Sequence, residues 1–175
     1  MNISFKANYI LPTNILKKDN GKYEKYSANF YKLNIKNHQD ITLIKDLAKT
    51  WGKDSYVFNI LDSATDQNIN YPRHIYILTD AKESNYKPKT ENVMGIAELD
   101  ETRKTENSLN FIQVNPKFIN SKKYNHIGSA MIDVIKCLHF SKPMYVFSEE
   151  NAMNFYKYNN FEKIENSDYE FCWYG

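Results

Sequence analysis

The spacing of apolar positions changes along the chain and predicts an alternation of strands and helices. Residues Phe30–Ile35 alternate between apolar and polar side chains, which predicts a strand. Across Asp40–Trp51 the apolar residues recur at helical spacing, so this segment is predicted to be a helix that ends at Gly52. A second, shorter helix is expected directly afterwards, capped by Asp54 or Ser55.

The middle of the chain switches to the period of extended strands. His74–Leu78, Val93–Leu99 and Leu109–Val114 are rich in β-branched and aromatic residues. Polar, turn-like residues separate the three runs, and the longest separation is the loop Thr79–Asn92. The pattern therefore predicts three consecutive antiparallel strands.

The last third returns to alternating elements. Apolar residues between Ile127 and Leu138 fall three and four positions apart, which predicts the clearest amphipathic helix of the chain. The apolar run Met144–Phe147 predicts a buried strand, and a short helix is expected to open at Glu149 or Glu150. The predicted C-terminal hairpin pairs Phe161–Ile164 with Tyr169–Tyr174.

The first 27 residues are polar and give a weaker signal. Phe5–Leu11 is compatible with a short strand, and Lys17–Lys25 is interpreted as a turn around Asn20 and Gly21. The chain of 175 residues suits a single α/β domain. We expect residues 1–27 to be an N-terminal extension and residues 28–175 to form the core.

Composition narrows the class of function. The chain has 23 basic and 21 acidic residues, a formal net charge of +2, and only Arg73 and Arg103 are arginines. This balance gives no overall field for nucleic acid or an anionic membrane, so neither partner is expected. Cys137 and Cys172 lie far apart and predict no metal site or disulfide. We expect a cytoplasmic protein without a membrane span.

The junction after the third strand is the best candidate for ligand binding. The strand ends at Val114, Pro116 breaks it, and a polar loop leads to a helix whose first turn contains Gly128 and Ser129. The exposed amides and partial positive charge of a helix N-terminus suit a pyrophosphate, and a small residue allows close approach. The alternative is an ordinary helix start that uses a small residue for packing.

This junction resembles the acyl-CoA-binding motif of the GNAT (GCN5-related N-acetyltransferase) family, Arg/Gln-x-x-Gly-x-Gly/Ala. The preferred register places Lys123 at the first position, His126 at the first glycine and Gly128 at the second. A shifted register uses Asn125, Gly128 and Ala130 instead. A separate segment, Ala152–Phe161, is similar to the late helix of the same family, with Asn160 in place of a glycine.

The resemblance implies a fold and a cofactor site. The implied fold is a mixed, mostly antiparallel sheet flanked by about four helices and splayed where acetyl-CoA binds. The cofactor would lie between the strand ending at Val114 and the strand Met144–Phe147. Asn151 would touch the CoA arm or simply belong to a helix start. The other implied cofactor residues are Ile112, Gln113, Val114, Lys123, Tyr124, Asn125, His126, Ile127, Gly128 and Ser129.

The resemblance also implies the reaction, in which an amine attacks the thioester directly. Tyr156 matches the residue that protonates the leaving thiolate, although a core tyrosine is an equal alternative. By topology the nearest acids are Glu98 and Asp100, near the end of the preceding strand, and Glu98 is the candidate base, acting through water; its alternative is an ordinary solvent-facing residue. A non-catalytic CoA-binding or protein-interaction module is the competing function.

The acceptor is expected to be a small-molecule or peptide amine, and the chain is compatible with a homodimer. In the resembled fold the acceptor would sit over Asp54–Asn70 and Thr79–Asn92. Aromatic side chains of Trp51, Tyr56 and Phe58 are candidates for the wall of that cleft.

Overall fold

The computed structural model describes residues 7–53, 55–66, 73–80 and 88–175, which form one nine-stranded sheet with helices on both faces. The strands are β1 Asn8–Asp19, β2 Lys22–Leu33, β3 Arg73–Asp80, β4 Val93–Asp100, β5 Asn107–Val114, β6 Tyr124–Asn125, β7 Met144–Phe147, β8 Glu162–Lys163 and β9 Glu170–Trp173. The helices are α1 His38–Trp51, α2 Val57–Thr65, α3 Pro116–Ser121, α4 Ile127–Leu138 and α5 Met153–Tyr158.

The strand order is β6-β1-β2-β3-β4-β5-β7-β9-β8. Strands β3, β4 and β5 form the predicted antiparallel meander, and β8 pairs with β9 as the predicted C-terminal hairpin. The β5–β7 pair is parallel, and every other pair in the described chain is antiparallel. The predicted fold class is therefore confirmed, with α3 as an extra short helix in the segment expected to be a loop.

The N-terminal hairpin is longer than the sequence pattern indicates. β1 and β2 pair along almost their full length around a turn at Asn20 and Gly21, both with positive φ (46° and 85°). Most of the segment 1–27 thus lies in the main sheet, while Phe5 and Lys6 lie outside the described residues. In the described chain, β1 pairs on its outer side only with β6, and it contains Pro12 and a bulge at Ile10.

The first two helices follow the predicted positions with different caps. α1 starts earlier than expected because the Asn37 side chain accepts a hydrogen bond from the Gln39 amide at 2.8 Å, and it ends at Gly52 (φ 95°). α2 has no side-chain cap, so Ser55 does not cap it, and Asp54 lies outside the described residues. Residues 67–72 and 81–87 also lie outside, including half of the predicted Thr79–Asn92 loop.

Two apolar cores lie on opposite faces of the sheet. One lies between the sheet and α4 and includes Phe30, Leu99 and Met131, and the other lies beneath α1 and α2 and includes Leu47, Ile60 and Ile96. We call the two sides of the sheet the α4 face and the α1/α2 face. Because successive residues of a strand point to opposite faces, a strand residue that belongs to one core shows which face its neighbours occupy. Among the described helices, none is long and apolar enough to cross a membrane.

A hydrogen-bonded network of polar side chains lies at the C-terminal end of α4. Glu101 lies 2.6 Å from His74 Nε2 and 2.5 Å from His139 Nδ1, and Tyr76 Oη lies 2.7 Å from His139 Nε2. Burial lowers the pKa of His139, and Glu101 only partly offsets this. Burial acts to raise the pKa of Glu101, but the two histidines outweigh it and lower that pKa.

We expect the fold to become less stable on mild acidification. Because the folded chain binds a proton at His139 less readily than the unfolded chain, protons shift the equilibrium toward unfolding as the pH falls below about 6.5. Buried Glu98 has a raised pKa, so above about pH 4.5 its protonation makes the fold more stable as the pH falls. Comparing the wild type with a His139 variant separates the contribution of His139 from that of Glu98. The urea midpoint should drop more between pH 7.5 and 5.5 in the wild type than in His139→Gln. His38→Gln, at the start of α1, is the control and should behave as the wild type; equal drops in wild type and His139→Gln would contradict the assignment.

Candidate active site

A wedge opens between β5 and β7. The two parallel strands pair only through Asn107 with Met144 and Ser108 with Tyr145. Asn110 is the extra residue of a β-bulge opposite β4, since Leu99 pairs with Leu109 and Glu98 with Phe111. A bulge bends its strand and increases the local twist, which turns β5 away from β7. From Asn110 to Val114 the β5 edge on that side pairs with no strand of the described chain.

A cavity of about 610 Å³ lies at the end of this wedge, on the α4 face. It is bounded by α3, β6 and the first turns of α4 and α5. Seven of the predicted cofactor residues meet there, and no carboxylate lines it among the described residues. Its lining comprises Val114, Phe118, Ile119, Tyr124, Asn125, His126, Ile127, Gly128, Ser129, Asn154, Phe155 and Tyr158.

The amides at the start of α4 differ in their availability. The first main-chain bond of the helix runs from the Ala130 amide to the His126 carbonyl, so the three preceding amides have no intrahelical acceptor. The His126 amide instead donates to Asn125 Oδ1 (2.9 Å), and the Lys123 amide donates to Ser121 Oγ (3.3 Å). The main-chain amides at this helix start that remain available to an anion are therefore those of residues 127–129.

Gly128 lies where the first turn of α4 is closely packed. A Cβ at this position would lie 3.0 Å from the Phe155 ring and 3.6 Å from a Val114 methyl. A glycine therefore allows α5 to pack over the first turn of α4. The same contact brings the helix that carries Tyr156 against the first turn of α4.

His126 adopts a conformation that L-residues rarely populate. It caps α4 with φ 61° and ψ 20°, and its ring contacts Tyr158 edge-on at 6.0 Å between centroids. Asn, Asp and His tolerate this left-handed region better than other residues, but the strain still costs about 1–2 kcal/mol. The imidazole thus occupies a position that a glycine would fill without strain.

We expect His126→Gly to be more stable than His126→Ala by about 1 kcal/mol. Both variants lose the contact with Tyr158, but alanine retains the steric cost of positive φ and glycine does not. Urea unfolding of the two variants measures the difference directly. A glycine variant no more stable than the alanine variant would contradict the left-handed conformation at this position.

Four of the predicted cofactor residues lie away from this cavity's lining. Ile112 packs on the edge of the α4 core, and the exposed Lys123 holds its ammonium over the Tyr124 ring. Gln113 points to the other face, where its Oε1 accepts a hydrogen bond from the Tyr56 amide at 2.8 Å. Asn151 lines a shallow cavity of about 490 Å³ with Glu149 and Glu150, just beyond β7.

Tyr156 is a buried tyrosine whose hydroxyl makes no hydrogen bond within the described part of the chain. The residue is 6% exposed, and its ring contacts Phe155, Phe161 and Phe171. Burial raises the pKa of its hydroxyl, with smaller contributions from Tyr56 and Glu149. The hydroxyl is therefore held in its protonated form.

Tyr56 and Glu149 join the two sides of the wedge. The Tyr56 ring packs against Phe111 of β5 at 5.4 Å, and its hydroxyl donates to Glu149 beyond the end of β7. Burial and this carboxylate raise the pKa of Tyr56 to about 12. The sequence pattern offered Tyr56 only as a cleft wall and gave Glu149 no role, because neither stands in a motif and their pairing depends on tertiary structure.

Glu98 is fully buried on the α1/α2 face, so the alternative that it faces solvent is wrong. Its Oε1 accepts a hydrogen bond from Asn110 Nδ2 at 3.0 Å and lies 3.6 Å from the Arg73 guanidinium. Burial raises its pKa, although Asn110, Arg73 and Ser63 act in the opposite direction. The bulge residue Asn110 thus links Glu98 to the wedge.

A second cavity, of about 560 Å³, lies beside the wedge on the face opposite α4. Its lining residues Ser108, Tyr145 and Phe147 alternate along their strands with residues of the α4 core. Asn110 also lines it, together with the charged residues Asp100, Arg103, Glu106 and Glu170. The two cavities thus flank the wedge from opposite faces of the sheet.

The fold is similar to that of several solved acetyltransferase structures. No protein-family model and no curated protein matches the sequence. The structure resembles an acetyltransferase of the GNAT family from Staphylococcus aureus Mu50 (TM-score 0.55, 13% identity, 83% of this chain and 97% of that one). It also resembles Tetrahymena GCN5 (TM-score 0.55, 12% identity, 81% and 92%) and a NatC complex bound to Gag peptide and CoA (TM-score 0.54, 13% identity, 85% and 98%).

The chain has the GNAT fold. Within this fold, α3 occupies the segment after Val114 that the sequence pattern assigned to a polar loop. Asn115 starts that helix by accepting a hydrogen bond from the Lys117 amide at 3.0 Å, and its Nδ2 donates to the Val93 carbonyl at 2.9 Å. α3 therefore forms one wall of the cavity at the end of the wedge.

Proposed function

We propose that this protein is an N-acetyltransferase that transfers an acetyl group from acetyl-CoA to a primary amine. The observation that carries the proposal is the open first turn of α4 at the end of a wedge between β5 and β7. Three amides without an intrahelical acceptor, the helix dipole and a cavity that no carboxylate of the described residues lines all suit the diphosphate of CoA. The GNAT fold supports the same reading.

The described residues fit acetyl-CoA along the whole wedge. The amides of Ile127, Gly128 and Ser129 would bind the diphosphate. The unpaired edge of β5, up to Val114, would hydrogen-bond the extended arm as an additional strand does. Acetyl-CoA supplies the activated acetyl group as its thioester.

The acceptor amine would enter from the α1/α2 face. The cavity of about 560 Å³ on that face has three carboxylates and one arginine in its lining, which suits an ammonium group. Nitrogen attacks the carbonyl carbon while the C–S bond breaks, and Tyr156 would give its proton to the departing sulfur. A small molecule and a peptide N-terminus both fit this chemistry, and the NatC neighbour was solved with a peptide.

We assign removal of the ammonium proton to Glu98, acting through water held near Asn110. A carboxylate with a raised pKa is a better base at neutral pH than an ordinary one. Glu149, paired with Tyr56, is the competing candidate because it lies at the mouth of the wedge. Glu98→Gln should lower kcat and remove the acidic limb of its pH profile, whereas Glu149→Gln should leave that limb in place; the reverse result would transfer the role to Glu149.

Two measurements test the proposal in sequence. Acetyl-CoA at about 100 times its Kd should stabilise the fold by about 2.7 kcal/mol in a thermal-shift titration. Thiol release is then screened over small amines and peptides with free N-termini. Stabilisation without thiol release would favour a non-catalytic CoA-binding module, and no stabilisation would overturn the cofactor assignment.

A further inference from the structure

The charged residues of the β1–β2 hairpin are segregated between its two faces. Cross-strand pairing sets Lys17 opposite Glu24 and Asp19 opposite Lys22. These four residues lie on the α4 face, because Lys17 and Asp19 follow buried Ile15 at intervals of two. On this face, Lys17 and Lys22 each have a carboxylate directly across the hairpin.

The other face of the hairpin carries lysines without carboxylates. Lys18 pairs with Tyr23, and Lys25 pairs with Leu16, so all of these side chains point away from α4. Lys122 joins them from the loop before β6, because its carbonyl accepts a hydrogen bond from Tyr23 Oη at 3.0 Å. We call Lys18, Tyr23, Lys25 and Lys122 the lysine face. All four residues are exposed.

Contacts between the hairpin and the loop before β6 hold the parts of the lysine face next to each other. The Lys18 amide donates to the Lys123 carbonyl at 2.7 Å, which ties the hairpin to the loop. Tyr23 is 42% exposed, and the Lys18 ammonium lies 6.0 Å from its ring centroid. An aromatic ring thus stands among three lysines, on the opposite side of the sheet from the cofactor cavity.

We propose that the lysine face binds single-stranded nucleic acid through its phosphates, with Tyr23 stacking on a base. Lysine ammonium groups bind phosphates as point charges, and an exposed aromatic ring among them is the common platform for an unpaired base. A negatively charged peptide would use the lysines but gain nothing comparable from the ring. The small net charge of the chain does not indicate this basic surface, because the hairpin's carboxylates offset its lysines in the sum while lying on its other face.

The test is fluorescence anisotropy of labelled 20-nucleotide oligo(U) and oligo(dT) strands in 50 and 200 mM NaCl, without acetyl-CoA. The three lysines, each neutralising one phosphate, predict a loss of affinity of about 20-fold between the two salt concentrations. Lys18→Glu with Lys25→Glu should weaken binding at least about 30-fold and flatten the salt dependence. Tyr23→Leu should weaken binding about tenfold with the salt dependence unchanged.

The matched control is Lys45→Glu with Lys53→Glu, which makes the same charge change at exposed positions on and just after α1. It should alter affinity less than threefold. Equal weakening by both double variants, or no binding at 50 mM NaCl, would overturn the proposal. Displacement of the strand by saturating CoA, or equal competition by a poly-glutamate 20-mer, would also overturn it. If the double variant melts early, Lys18→Gln and Lys25→Gln replace it.

Discussion

Ser129→Glu should abolish the stabilisation of the protein by acetyl-CoA. The new carboxylate would stand in the first turn of α4, within about 4 Å of the proposed diphosphate, where like charges repel by about 4 kcal/mol at an effective dielectric constant of 20. Allowing for solvent screening, we expect the affinity to fall at least about 100-fold. A thermal-shift titration with acetyl-CoA measures this loss.

The unliganded variant should be as stable as the wild type or slightly more stable, because a carboxylate at a helix N-terminus contributes about 0.3–1 kcal/mol. Ser129→Gln is the matched control: it adds the same bulk without charge and should keep most of the affinity. Equal losses of affinity in the two variants would show that the bulk of the new side chain, and not its charge, causes the effect. Retained affinity in Ser129→Glu would show that the diphosphate binds elsewhere.

Tyr156→Phe should lower kcat about 100-fold and leave the Kd for acetyl-CoA within about twofold. The departing sulfur would lose its proton donor, while the ring would keep its contacts with Phe155, Phe161 and Phe171. Stability should be unchanged or higher, since the removed hydroxyl makes no hydrogen bond in the described part of the chain. Thiol release with the most active amine of the screen gives kcat.

Tyr169→Phe provides the comparison, because it removes a hydroxyl from a half-exposed tyrosine near the C-terminal hairpin and should leave kcat unchanged. An unchanged kcat in Tyr156→Phe would remove this residue from the acid role. A fall in kcat accompanied by equally weaker cofactor binding would point to packing of α5 against Gly128 instead.

Strong periodicity made most of the fold predictable from the sequence. The apolar spacing of α1 and α4 and the runs of β3, β4 and β5 are properties of single segments, so no tertiary information was needed. The long N-terminal hairpin was missed because its strands are mostly polar and exposed. Their extended conformation depends on pairing with each other and with β3.

In the candidate site, too, the features that depend on a local motif could be predicted, and those that depend on tertiary packing could not. The first turn of α4, which we propose binds the diphosphate, could be singled out from the sequence because Gly128 and the helix that follows it form a local motif. The Tyr56–Glu149 pair and the burial of Glu98 depend on how α2 packs over the bulge at Asn110. Lys136 illustrates the same limit. Helical spacing assigns this residue to a solvent-facing position on α4, but in the structure it is buried, with its ammonium over the rings of Phe161 and Trp173.

The outer edge of β1 affects how copies of the protein meet. A long unpaired edge is a template on which another chain can add a strand and start an aggregate. Pro12 interrupts that edge because it has no N–H to offer, and the bulge at Ile10 disturbs the regular spacing of the remaining groups. Sheet growth from one molecule to the next is therefore blocked at this edge, and concentrated solutions should resist fibril formation there.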